Sequence, residues 1–179
     1  MNQVKYLRFD PKTRICLGTE HLNPCTAVVI LSKNAAILGH FPPRPASASA
    51  NTAAGDAHIK AKMNELRALL GQHLQEFAQK PGSTGIVAYA VYKGETALQS
   101  QKDIIESQLT SWKMQVKSVP YPVLNSDQPR AAAQGTVLIV PIDGGAEVYV
   151  EDKRVVFVKG TASSSTGSSA AESSKASSK

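Results

Sequence analysis

The sequence predicts an α+β fold, a layered sandwich with two amphipathic helices on mixed or antiparallel sheet. Short, β-branched apolar runs outnumber helical stripes, which argues for sheet as the main scaffold. Only two segments repeat apolar residues at steps of three and four. Those two do not alternate regularly with the strand-like runs, which argues against a doubly wound parallel fold.

Val4 to Phe9 and Arg14 to Leu17 read as short strands. Ala27 to Leu31 is a β-branched apolar run, hence a buried strand. Ser32-Lys33-Asn34 is turn material, and Ala35 to Leu38 returns as the second arm of a hairpin. Ile59, Met63, Leu66, Leu70, Leu74 and Phe77 then form one apolar stripe on a helix from about Asp56 to Gln79. Asp56 is its expected N-cap, and Pro81-Gly82 stops it. Gly85 to Tyr92 is the next strand.

A second helix is expected from about Ser100 to Lys113, with Ile105, Leu109 and Trp112 facing inward. Ser100 and Asp103 have the spacing of a capping box. Strands follow at Gln115 to Val119, Thr136 to Ile142, Ala146 to Val150 and Val155 to Val158. Asp143-Gly144-Gly145 and Asp152-Lys153 are their hairpin turns.

Two stretches interrupt this pattern. Pro42 to Ala57 is rich in Pro, Ala and Ser and reads as a surface loop within the domain. Thr161 to Lys179 holds no large apolar residue, cannot offset its ordering entropy, and is expected to be a disordered tail. One globular domain over residues 1–160 is the expectation.

The 179 residues are 42% hydrophobic and 19% charged, the balance of a water-soluble domain with a polar appendage. No run approaches the roughly 18 to 20 apolar residues that span a bilayer. No apolar leader follows Met1, and two cysteines are too few for a disulfide scaffold, so an intracellular, cytoplasmic setting with reduced thiols is expected. The net charge of +6 is spread along the chain, with few aromatics between the cations. That distribution argues against nucleic acid as a partner.

The hairpin places the two residues with the most chemistry. Cys25 precedes one strand and His40 closes the other. Partners in an antiparallel pair have a constant sum of positions. A sum of 65 puts Cys25 opposite His40. A sum of 67 puts Cys25 opposite Pro42, with His40 its diagonal neighbour. Any odd sum leaves both side chains on one face. A cysteine beside an imidazole is the geometry of a thiolate nucleophile with its base. The plain alternative is a small buried cysteine and a histidine that caps a strand. Cys16, His21, Cys25 and His40 would also make a mixed sulfur and nitrogen metal site, although their spacing matches no standard zinc pattern. His58 and His73 fall on the first helix and read as packing or surface residues. The Pro81 to Gly85 stretch lacks the Gly-Lys-Ser/Thr ending of a phosphate loop.

The segment Thr19-Glu20-His21-Leu22-Asn23-Pro24-Cys25-Thr26-Ala27-Val28-Val29, followed by Ile37-Leu38-Gly39-His40-Phe41, resembles the CheD-type chemoreceptor glutamine deamidases. Their catalytic fold is shared with cytotoxic necrotizing factor toxins. The later order of helix, strand, helix and closing hairpins corresponds as well. The resemblance implies an α/β/β/α sandwich, with Cys25 as nucleophile, His40 as base and Thr19 orienting the His. It implies hydrolysis of a protein glutamine side chain to glutamate and ammonia through a thioester, with no cofactor. The sequence departs from the family at Asn23-Pro24, where Gly-Ser is usual, and at Ala36 to Gly39, where the family has Gly-Gly-Met. Its Cys-to-His spacing is about two residues shorter, which keeps the parity. Pro24 has no N–H, so oxyanion donors are sought nearby, with the Thr26 backbone as a candidate. The expected function is therefore a cysteine-dependent amidohydrolase acting on a glutamine-bearing protein. The alternatives are a non-catalytic protein-binding module on the same scaffold, or a thiol esterase or acyl-transfer enzyme.

Overall fold

The computed structural model describes residues 2–10, 12–13, 15–45, 51–78, 82–125 and 128–159. The strands are β1 Val4–Arg8, β2 Leu17–Thr19, β3 Thr26–Leu31, β4 Ala35–Phe41, β5 Thr84–Tyr92, β6 Glu95–Thr96, β7 Gln115–Pro122, β8 Val137–Ile142, β9 Gly145–Val150 and β10 Lys153–Lys159. The helices are α1 Thr52–Gln72, a short α2 Leu74–Phe77, and α3 Gln99–Ser111. The expected α+β architecture of helices on mixed sheet is present. The expected tail, Thr161 to Lys179, lies outside the described residues.

Six strands form one sheet in the order β1-β4-β3-β5, with β6 and β7 both pairing with β5. All its pairs are antiparallel except β5–β7, which α3 connects as a parallel crossover. The second sheet is antiparallel in the order β10-β9-β8-β2.

The hairpin β3–β4 lies at the centre because both its faces are apolar. Val28, Ile30, Ala35, Ile37 and Phe41 pack with Ile59, Met63 and Leu66 of α1 and with Ile105 and Leu109 of α3. The alternate set, Ala27, Val29, Leu31, Ala36 and Leu38, packs with Val137, Ile139, Val148 and Val150 of the second sheet. Burial on both faces explains why these strands read as continuous apolar runs rather than alternating ones. Each large side chain buried there contributes roughly 1.5 to 3 kcal/mol.

Both α1 and α3 lie on the same face of the larger sheet. Among the described residues the layers therefore run helix, sheet, sheet, one fewer than the α/β/β/α order implied by the resemblance. Leu138 is 40% exposed on β8, consistent with an outer face that no described helix covers.

Several boundaries differ from expectation. The first helix begins inside the expected Pro42–Ala57 loop, and residues 46–50 of that loop lie outside the described set. Its N-cap is Asn51, whose side chain accepts from the Ala54 N–H, and not Asp56. The helix breaks at His73, which leaves Leu74 57% exposed while Phe77 is buried. His73 stacks on Tyr6 with ring centroids 3.5 Å apart, so it is a packing residue. The expected Ser100–Asp103 capping box does not form. The N-cap of α3 is Leu98, Ser100 instead donates to Asp56 Oδ2 at 2.7 Å, and Asp103 accepts from Gln99. The Ser100–Asp56 bond joins the N-terminal parts of α1 and α3. Gly55 permits that approach, since a Cβ there would stand 2.6 Å from Gln101 Nε2 and 2.7 Å from the Pro43 carbonyl. Of the expected strand Arg14 to Leu17, Arg14 lies outside the described residues and Ile15 and Cys16 precede the observed strand, Leu17–Thr19, which brings Thr19 into the second sheet.

Candidate active site

The β3–β4 register pairs Ala27 with His40 and Thr26 with Phe41, a sum of 67. Cys25 therefore sits one residue before the ladder, diagonal to His40, at a spacing of roughly 7 to 8 Å between Cα atoms. His40 shares its parity with Ala36 and Leu38, and Cys25 with Ala27 and Val29. Both point into the layer between the two sheets. There Thr19, from β2 of the opposite sheet, meets His40. Thr19 Oγ1 and His40 Nδ1 are 2.6 Å apart. The fold thus brings Thr19 to His40 and sets Cys25 on the same face as His40, with no hydrogen bond from His40 Nε2 to the Cys25 sulfur. His40 is 4% exposed, and its other ring nitrogen, Nε2, is buried without a hydrogen-bond partner.

The backbone around Cys25 is pinned at three points. The Leu22 N–H donates to the Gly135 carbonyl at 3.0 Å. Asn23 Nδ2 donates to the Leu124 carbonyl at 3.1 Å. The Tyr121 hydroxyl donates to the Cys25 carbonyl. Tyr121 is buried and was not singled out from the sequence; a tyrosine between two prolines at the end of a strand gives no local sign of a partner 96 residues away. Gly135 has φ of +66°, and a Cβ there would stand 2.6 Å from the Leu22 carbonyl, so only glycine allows that contact.

The Thr26 N–H is not free to bind an oxyanion. The His40 N–H donates to Gln3 of the β1 side, and the Ser32 N–H donates to Ala35 at the hairpin end. Antiparallel alternation then assigns the Thr26 N–H to the Phe41 carbonyl. The backbone N–H groups of Asn23 and Cys25, one on each side of Pro24, favour the charged form of the Cys25 sulfur.

The electrostatics favour a neutral pair. Burial pushes the Cys25 thiol up, and the two N–H groups only partly oppose that. Burial also holds the His40 imidazole below its usual range, with the nearby His21 adding to the effect. Thr19 is an uncharged partner and supplies no carboxylate to offset it. The thiolate–imidazolium pair expected from simple proximity is therefore not the resting state.

A cleft of about 340 Å³ opens beside this site, between the edges of β1 and β2. Thr19 and His40 line it together with Lys5, Glu20 and His21. Cys25 does not line it and is 8% exposed. His21 lies with its Nε2 3.5 Å from Glu20 Oε1 and its Nδ1 3.5 Å from Arg130.

The metal reading of Cys16, His21, Cys25 and His40 fails on placement. Cys16 is exposed while Cys25 is buried, and no three metal-binding side chains cluster among the described residues. No described helix is long and apolar enough to cross a membrane. No protein-family model matches the chain, and no curated protein sequence matches it.

Proposed function

We propose that the chain is a cysteine-dependent amidohydrolase that converts a protein glutamine side chain to glutamate. The observation that carries this reading is the 2.6 Å contact of Thr19 Oγ1 with His40 Nδ1, which leaves Nε2 as the working nitrogen on the face shared with Cys25.

In the reactive tautomer, His40 Nδ1–H donates to Thr19 Oγ1, and Nε2 carries the free lone pair. As the Cys25 sulfur bonds to the amide carbon, its proton passes to Nε2. The amide oxygen becomes an oxyanion and accepts from the Asn23 and Cys25 N–H groups. The C–N bond then breaks, the leaving nitrogen takes the proton from Nε2, and ammonia departs from a thioester. Water attacks the thioester carbon and gives its proton to Nε2. The C–S bond breaks, sulfur recovers the proton, and the acid is released. Each turn consumes one water and releases one ammonia, with no redox change. A reducing, cytoplasmic setting suits a nucleophile that must remain a thiol.

A second reading is a non-catalytic binding module. The 8% exposure of Cys25 and its position away from the cleft favour it. One experiment separates the two. The purified chain is incubated with glutamine-bearing proteins, and ammonia and the amide-to-acid mass change are followed. Release that vanishes in Cys25→Ser supports the enzyme, and undiminished release in that variant rejects it. Hydrolysis of a thioester or ester without action on glutamine would instead assign an esterase.

A further inference from the structure

We infer that the open edge of β2 is a docking edge, which takes an extended segment of the substrate protein as an added strand bearing glutamine and an acidic residue two positions apart. This inference rests on the proposal that the site serves a glutamine-bearing protein. The two sheets are stacked so that β7 faces β10, where Lys117 donates to the Val155 carbonyl, and β4 faces β2, where His40 meets Thr19. The larger sheet continues past β4 to β1, whereas the smaller one ends at β2. Among the described residues β1 therefore has no strand opposite it. The cleft of about 340 Å³ occupies that place, lined by Gln3 and Lys5 of β1, Leu38 and His40 of β4, and all of β2.

The edge turns its hydrogen-bonding groups toward that space. The Glu151 N–H donates to the Thr136 carbonyl, so alternation turns the even-numbered residues of β8 to β9, and Val137 and Ile139 to β2. Their partners Thr19 and Leu17 bond to β8, which turns the Gly18 N–H and carbonyl outward. Gly18 is exposed, and no described strand pairs with that side. An exposed edge is a template for another strand, whose backbone supplies affinity and whose alternate side chains supply specificity. With three residues in β2, the added strand spans roughly 10 Å.

The register sets which side chains enter. A residue opposite Gly18 faces away from the sandwich, and its two neighbours, opposite Thr19 and Leu17, face inward. The neighbour opposite Thr19 stands at the level of His40, where the proposed reaction requires the glutamine. Leu17 packs against the cluster that holds Leu38, and the partner of Leu38 on β1 is Lys5. The second inward side chain therefore comes to Lys5. Glu20 stands 3.5 Å from His21, whereas no ion pair engages Lys5 among the described residues. The complement to Lys5 is Asp or Glu.

The test measures binding of fluorescein-labelled heptapeptides to the full chain by fluorescence anisotropy. Their central residues are Gln-Val-Glu or Glu-Val-Gln, since either strand direction fits the edge. At least one is expected to bind about tenfold more tightly than its analogue N-methylated at those three residues, which lacks the N–H groups the edge would use. Changing its Glu to Lys is expected to weaken binding about three- to fivefold, and Lys5→Glu is expected to reverse that preference. Equal binding of the N-methylated analogue, a glutamate preference that survives Lys5→Glu, or no binding of either peptide overturns the inference. The amidohydrolase reading is judged apart, by ammonia release. Binding that needs the N–H groups but yields no ammonia keeps the docking edge and removes the enzyme. Ammonia released equally from the N-methylated peptide keeps the enzyme and removes the edge.

Discussion

Thr19 and His40 come from different sheets, yet their side chains meet at 2.6 Å. Thr19 stands on a three-residue strand whose only ladder among the described residues is with β8. His40 closes the central hairpin of the other sheet. Their contact fixes the ring of His40, and with it the direction of Nε2. A three-residue strand of the opposite sheet thus sets the orientation of the His40 ring.

Removing the Thr19 hydroxyl loosens that ring with little change in shape. Thr19→Val is expected to slow His40-dependent alkylation of Cys25 by about three- to tenfold at neutral pH, the worth of one hydrogen bond. Thr19→Ser is expected to restore most of the rate. Peptide mass spectrometry of timed iodoacetamide reactions checks both variants.

Acid destabilises the fold through its buried histidines. Burial holds His40 low, and it does the same for His58, where Lys62 adds to the effect and Glu65 opposes it. A histidine with a depressed folded pKa binds its proton first in the unfolded chain. Stability is therefore fully present above the unfolded value of about 6.5 and is lost as pH falls from there toward the folded values. Thermal melts between about pH 7 and 5 are expected to show a falling midpoint. His40→Asn and His58→Gln are each expected to flatten part of that slope. A slope identical in the double variant would assign the effect to other groups.

Gly135 holds the Leu22 to Cys25 segment at close quarters. Gly135→Ala puts a Cβ 2.6 Å from the Leu22 carbonyl at a positive φ. It is expected to cost about 1 to 3 kcal/mol, a strain carried by backbone rather than by a flexible side chain. Urea denaturation measures the loss. Cys25 alkylation is expected to change with it, since the same segment carries the sulfur.

The Tyr121 hydroxyl makes a buried bond to the Cys25 carbonyl. Tyr121→Phe keeps the ring but leaves that carbonyl without its donor. The expected destabilisation is about 1 to 3 kcal/mol by urea denaturation. Burial pushes the Tyr121 phenol far up, so the hydroxyl stays a donor throughout the neutral range.

Much of this was legible in the sequence. Period and parity give the β3–β4 hairpin, and with it the shared face of Cys25 and His40. The spacing that places Thr19 six before Cys25 carries the resemblance, but only the pairing of β2 with β8 brings the hydroxyl across to the imidazole. Tyr121, Gly135 and Leu124 reach the Leu22 to Cys25 segment across about a hundred residues, and contacts at such range leave no local pattern. The N-cap was misplaced because Asp56 and Asn51 are both good cap residues, and the Ala-rich start of α1 reads like the loop before it. Thr26 looked like an oxyanion donor until the ladder register claimed its N–H.

The pairing of Cys25 with His40 is tested most directly by the pH dependence of Cys25 alkylation, with and without His40. With both groups neutral at rest, the wild-type rate is expected to rise as His40 loses its proton, below pH about 6.5, and then to hold a plateau before the thiol itself ionises. In His40→Ala the plateau is expected to vanish, leaving one inflection at the raised thiol pKa. Superimposable profiles from two folded proteins would contradict the account, and Cys25 would then be a buried core thiol.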